Sequence, residues 1–271
     1  MLHKKILDKN YFLNSDWLQF IIMHGGIKHE KILHDLREIL EAMRQNQKIK
    51  TWFFLNKNQN ILVKMEFIKK YRYELLNLNK LLKQKYKKII IKIDAFEPEV
   101  FQFGGDKGWE IAKKYFNKIS LLIIESKKIE KRETKLAIIT TFDLLLRAVG
   151  DSFEAWDILQ RLMIIRGINQ KNTLKDIKVS KFYNIIISLF KDPRFFYFQK
   201  LQDERLIKEI VKINIFLIHE LQKNKFSLMF SVRKILPYYI IFIFNMLLIS
   251  ELEQKEIIKL LSFFSNPGKY K

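Results

Sequence analysis

Between residues 17 and 95, four short apolar runs are separated in turn by a helical pattern, a tight polar cluster and a second helical pattern. Few folds accept that order. Residues 17–23 (WLQFIIM) form an apolar run of strand length that ends at Gly25-Gly26. Residues 27–46 place Ile32, Leu33, Leu36, Ile39, Leu40 and Met43 on one helical face. Residues 52–55 (WFFL) predict a second strand, 56–60 (NKNQN) a turn with hairpin chemistry, and 61–67 a third strand. In that third strand Lys64 and Glu66 alternate with Val63, Met65 and Phe67 and so face away from them. Residues 70–88 are helical, with Tyr71, Leu75, Leu78, Leu81 and Leu82 on the apolar side, and 89–95 predict a fourth strand. Strand, helix, strand, hairpin, strand, helix, strand is the split β-α-β-β-α-β order of a ferredoxin-like sheet. Its two helices cover one face and leave the other for a second layer or a ligand.

The remainder reads differently. After the turn Gly104-Gly105 an amphipathic helix runs to 126, and no strand signal follows. Helical patterns cover 134–149, stopped by Gly150, and then a segment capped by Asp151-Ser152 that runs to Arg166 before Gly167. Others cover 174–190 (before the break Asp192-Pro193), 206–222, 235–250 and 251–264. The predicted class is α+β: a ferredoxin-like sheet followed by a mainly helical C-terminal half. The expected division is 1–128 and 129–271, packed as one unit, with 1–15 as a polar and aromatic lead-in.

Composition excludes several classes. The 271 residues contain no cysteine, which removes disulfides, thiolate nucleophiles and Cys-ligated metals. Nearly half of the residues are apolar, so a packed core is expected. The net charge of +21 points to anionic partners, but lysines are spread along the whole chain and 83–88 reads as a solvated helix end. Nucleic-acid binding would rest on charge alone, without a recognised module, and is not expected. Lys4, Lys5, Asp8, Lys9 and Asp16 interrupt any signal-like segment. The most apolar run, 235–250, contains Pro237 and Asn245 and is shorter than the roughly 20 residues that span a bilayer. A cytoplasmic protein without a membrane span is expected.

Phosphate-binding and hydrolase motifs are absent. Of the five histidines, His3, His24, His29, His34 and His219, His24 and His29 flank a turn; a metal site there would need carboxylates that nothing in the sequence positions, and a structural or surface role is expected. Residues 195–198 (FFYF) read as core. Carboxylates are the scarcer charged type, and Asp94, Glu97 and Glu99 crowd into six residues at the end of a strand. They would either pair with nearby lysines or supply a proton-transfer group held in a cleft. Glu97 and Glu99 share a face only if the chain stays extended through Pro98.

The segment 96–105, FEPEVFQFGG, followed by a helix, resembles the YEPE-x-x-RYGG segment of the thiopeptide-type bacteriocin biosynthesis domain. That domain is the C-terminal, glutamate-eliminating part of class I lantibiotic dehydratases. Residues 17–20 (WLQF) and 52–55 (WFFL) resemble the family's opening strand and its WFF(I/L)RY strand. Residues 236–249 fall where the family has S-x-x-HM-x-x-NR. The departures concern charge. Asn56-Lys57 stand in place of Arg-Tyr, Ile61-Leu62-Val63 in place of His-Leu-Arg, and Gln102 in place of Arg. Ile241 and Met246 fall at the C-terminal His and Arg.

This pattern is most similar to the stand-alone thiopeptide pyridine synthases. The resemblance implies a formal [4+2] aza-cycloaddition of two dehydroalanines in a leader-bearing azole peptide, with loss of water and leader. It implies Asp94, Glu97, Glu99, Tyr238 and Tyr239 as candidates for proton transfer. Trp52, Phe101, Gln102 and Phe103 become candidates for lining the peptide site. No metal or organic cofactor is implied. The expected partners are a modified precursor with an acidic leader and other maturation enzymes. The alternatives are the elimination subunit of a split dehydratase and a non-catalytic peptide-binding scaffold.

Overall fold

The computed structural model describes residues 16–23, 26–71, 74–125, 133–168, 180–191 and 204–270. The expected lead-in at 1–15, residues 174–179 of the helix expected at 174–190 and the aromatic run at 195–198 lie outside the described residues. The chain forms two compact units: residues 1–99 with 116–127, and residues 100–115 with 128–271.

The first unit holds β1 (Trp17–Met23), α1 (His29–Gln45), β2 (Ile49–Lys57), β3 (Asn60–Phe67), α2 (Glu74–Lys85) and β4 (Ile90–Ala95). The strands lie in the order β2-β3-β1-β4, and every pair is antiparallel. Each helical crossover therefore skips one strand, as the ferredoxin-like expectation requires. Strand β2 is longer than 52–55. The hairpin turn shrinks to Asn58 and Gln59, both at positive φ. Two such central residues match the right-handed twist of the flanking strands. Asn56, expected in the turn, is a buried strand residue.

One face of the sheet carries Leu18, Phe20, Ile22, Trp52, Phe54, Ile61, Val63 and Met65. It packs against Ile32, Leu36 and Leu40 of α1 and Leu78 and Leu82 of α2. Leu81, expected on the apolar side, is exposed. The outer edge of β2 would otherwise present bare backbone groups. Helix α3 (Asp106–Glu125) covers it: Asn117 Nδ2 donates to Trp52 O at 2.8 Å, and Ser120 Oγ accepts from Phe54 N–H at 3.3 Å.

The second unit holds the turn before α3, the first half of that helix, and α4 (Glu133–Ala148), α5 (Ser152–Ile165), α6 (Tyr183–Lys191), α7 (Glu204–Lys223), α8 (Val232–Met246) and α9 (Glu251–Ser265). Helix α5 packs on α8 and α9, and α7 packs on α4. Asp151 caps α5 by accepting from Glu154 N–H, and Ser250 with Glu253 forms a reciprocal capping box at α9. Among the described residues no strand follows β4, and no helix is long and apolar enough to cross a membrane.

The glycines of the turn are required by position. Gly104 and Gly105 both have positive φ, near 90°. A Cβ at Gly105 would lie 2.9 Å from Met229 Sδ, and one at Gly108 would lie 1.7 Å from Phe103 O. Gly108→Ala must therefore displace the turn backbone, and we expect a loss of about 3 kcal/mol of stability in urea titrations. Ser120→Ala removes one edge contact and should cost only about 1 kcal/mol.

Candidate functional site

The sheet face turned away from α1 and α2 is the candidate site. Strand register aligns Phe53, Lys64, Gln19 and Asp94 in one row across β2, β3, β1 and β4. The next row contains Thr51, Glu66 and Trp17, with Phe96 continuing past β4, where its N–H donates to Trp17 O. Aromatic rings dominate this face. Trp17 meets Phe53 at 6.0 Å and Phe96 at 5.6 Å, and Phe53 meets Phe116 of α3 at 5.5 Å.

Lys64 sits inside that frame. It is only 4% exposed, and its Nζ lies 3.8 Å from the Phe96 ring centroid and 5.8 Å from that of Phe53. Ring faces stabilise a cation without removing its tendency to lose a proton. Burial pushes the Lys64 ammonium down to about 8, with Glu99 opposing the shift and Lys57 adding to it. The group thus titrates close to neutrality. Sequence alternation correctly set Lys64 opposite Val63 and Met65, but the face it enters is buried rather than open. The signal available in the sequence was its place in a central strand among the runs FF and VKMEF. Gln19 was missed as well, and only the register identifies it.

The three clustered carboxylates diverge. Asp94 is half-buried in the Lys64 row, separated from it by Gln19, a gap of two strand spacings, about 10 Å. Glu99 is half-buried and acts on Lys64, and Glu97 is exposed. Trp52 lies on the opposite, helix-covered face, where its Nε1–H donates to Glu41 Oε1 at 2.7 Å. The same geometry refines the comparison at Ile61-Leu62-Val63. Ile61 and Val63 point into the apolar core, so a cation at either position would be buried among hydrocarbon. Within 61–64 the charged side chain on the site face is Lys64.

The other candidates lie in the helical unit. Phe103 is fully buried and packs against Trp109 at 5.7 Å, Tyr239 at 5.1 Å, Phe242 at 5.3 Å and the half-buried Tyr238 at 6.4 Å. Tyr239 also meets Tyr115 at 5.5 Å, and burial raises both phenols well above their ordinary range. Tyr115 donates to Asn214 Oδ1 at 2.8 Å. Asn214 donates to Asp143 Oδ2, and Arg147 donates to Asp143 Oδ1, both at 2.8 Å. This chain satisfies buried polar groups and holds α3, α4 and α7 in place. Gln102 is half-buried, and Phe101 is exposed beside Phe230 at 4.8 Å.

Among the described residues, one group has metal-ligand proximity: His34, Asp35 and Glu38 on α1, within 4.8 Å. Asp35 is already committed to Lys85 at 2.8 Å and to Tyr86. A cation there would have to displace that pairing.

Comparison with curated protein sequences finds no significant match. Solved structures do share the fold. One is the tRNA-dependent lantibiotic dehydratase MibB from Microbispora sp. 107891, at 11% identity and a TM-score of 0.66 over 94% of this chain. The match spans 28% of MibB, so the chain covers little more than a quarter of that protein. Another is TsrL, at 12% identity and a TM-score of 0.52, over 92% of this chain and 94% of that one. The model of lantibiotic biosynthesis dehydratase C-terminal domains matches residues 17–262, and the chain belongs to that family.

Proposed function

We propose that this protein matures a ribosomally made peptide by forming a central pyridine from two dehydroalanines. The observation that carries the reading is Lys64, a buried amine that exchanges its proton near neutrality. Stabilising an enolate during glutamate loss calls for fixed cations. Joining two dehydroalanines instead calls for groups that both give and take protons. The amide of one dehydroalanine enters as its iminol. Two bonds form to the second alkene, the former amide oxygen leaves as water, and the leader leaves as its C-terminal amide. No electrons are gained or lost, so no redox partner is needed.

In this scheme the Lys64 ammonium hydrogen-bonds the amide oxygen and later protonates the departing hydroxyl. Glu99 keeps the amine chargeable, and Asp94, in the same row, takes the proton released at the ring. The aromatic frame of Trp17, Phe53 and Phe96 excludes water from the amine. Glutamate elimination is the second reading, favoured by the fold shared with MibB. It would use Lys64 as the base that removes the α-proton.

Three outcomes are expected. Lys64→Met should lower pyridine formation by about a hundredfold or more, read as pyridine absorbance and released leader amide from a bis-dehydroalanine azole peptide. If a glutamylated serine peptide is turned over instead, and loses that turnover with the same variant, elimination replaces ring formation. Glu99→Gln removes the charge that supports the ammonium, so the pKa near 8 in the pH–rate profile should move down.

The third outcome concerns stability. The folded pKa of about 8 lies below the ordinary 10.5, so the unfolded chain binds the extra proton between those values. The cost of the buried charge is therefore full below pH 8 and fades as pH rises to 10.5. It amounts to about 3 kcal/mol. Lys64→Met should unfold at a higher temperature than the parent at pH 7, and the gap should close above pH 10. A gap that stays constant with pH would show that Lys64 titrates like an exposed lysine.

A further inference from the structure

An apolar ridge stands on the glycine turn of the helical unit. Met229 N–H donates to Gly104 O at 2.9 Å, and the Met229 side chain occupies the space that a Cβ at Gly105 would need. The loop between α7 and α8 is thereby fixed to the turn. Once fixed, it holds large apolar side chains in water: Phe226 is 93% exposed, Met229 62% and Phe101 64%. Phe230 makes an edge contact with Phe101 at 4.8 Å. Cations cling to the ridge, with Lys225 Nζ 4.9 Å from the Phe226 ring and Lys234 Nζ 5.3 Å from that of Phe230. From 221 to 250 the chain contains Lys223, Lys225, Arg233 and Lys234 and no Asp or Glu. Arg233 pairs with Glu154 of α5, and the turn side adds Asp106 and Lys107.

We infer that this ridge docks an acidic peptide segment carrying aromatic or branched aliphatic side chains, the leader region of the peptide that the site matures. The inference rests on the peptide-maturation reading for the identity of the partner. The chemistry of the ridge sets its class. Exposed aromatics on a loop held to the turn are anchors that lose little entropy on binding, and Lys225 and Lys234 beside them select carboxylates. A second copy of this chain fits poorly, since an isologous contact of this patch would set the lysines of one copy against those of the other.

The test is fluorescence anisotropy with a labelled acidic peptide bearing Leu and Phe, beside versions with Ala for the apolar residues or Lys for the acidic ones. Only the first should bind tightly, with affinity falling as salt rises. Phe226→Ala, which removes a side chain that lies 93% in water, should weaken binding about tenfold. Lys225→Glu should weaken it further, and Lys64→Met should leave it intact. Equal affinity for the parent and Phe226→Ala overturns the inference. So does binding of anionic lipid vesicles without binding of the acidic peptide, or protein self-association that Phe226→Ala abolishes. The two readings separate cleanly: Phe226-dependent binding without turnover of the azole peptide removes the reaction and keeps the docking site. Turnover unchanged in Phe226→Ala, with no peptide affinity in the parent, does the reverse.

Discussion

The open edge of β2 is the constraint on which the sheet unit depends. A four-stranded antiparallel sheet has two edges, and β2 is one of them. Its outward backbone groups at Trp52 and Phe54 are met by side chains of α3, Asn117 and Ser120. An edge satisfied in this way cannot recruit another chain. The same helix places Phe116 against Phe53 on the site face, and its Ile124 joins the core under α1 and α2. Closure of the edge and formation of the aromatic frame are thus one packing event.

That frame allows a lysine to remain buried. An ammonium in an apolar setting is costly, and ring faces and the nearby Glu99 favour the charged form of Lys64. A hydrophobic residue would pack there at lower cost, so the lysine is a local contradiction in a mostly apolar strand. Such contradictions collect where chemistry is done. By contrast, the buried chain Tyr115–Asn214–Asp143–Arg147 in the helical unit satisfies its members mutually and reads as structural.

The glycine turn serves the helical unit in a comparable way. Gly104 and Gly105 adopt a conformation that other residues resist, and Gly108 lets the first turn of α3 lie directly on Phe103 O. Phe103 is thereby delivered to the middle of an aromatic cluster. Phe101, two residues earlier, is left in water. Adjacent members of one motif thus have opposite fates, one in the core and one at the surface.

Much of the fold was legible in the sequence because it follows from local periodicity. Alternation within 61–67, helical spacing in 27–46 and the Asp151 cap each act over a few residues, and strand order then followed from the βαββαβ succession. The FEPE and FGG segments likewise carried the family. The site was less legible, since Asp94, Glu97 and Glu99 are neighbours in sequence yet diverge in space. Gln19, Lys64 and Asp94 come from three strands and meet only through register. Whether Lys64 faced water or rings was decided by Phe96 and Phe53, which lie 32 residues after it and 11 before it in the chain. By itself, the sequence determined which segments become strands and helices, because those preferences are local. The tertiary structure alone decided which charge is buried, because burial depends on neighbours that distant segments supply.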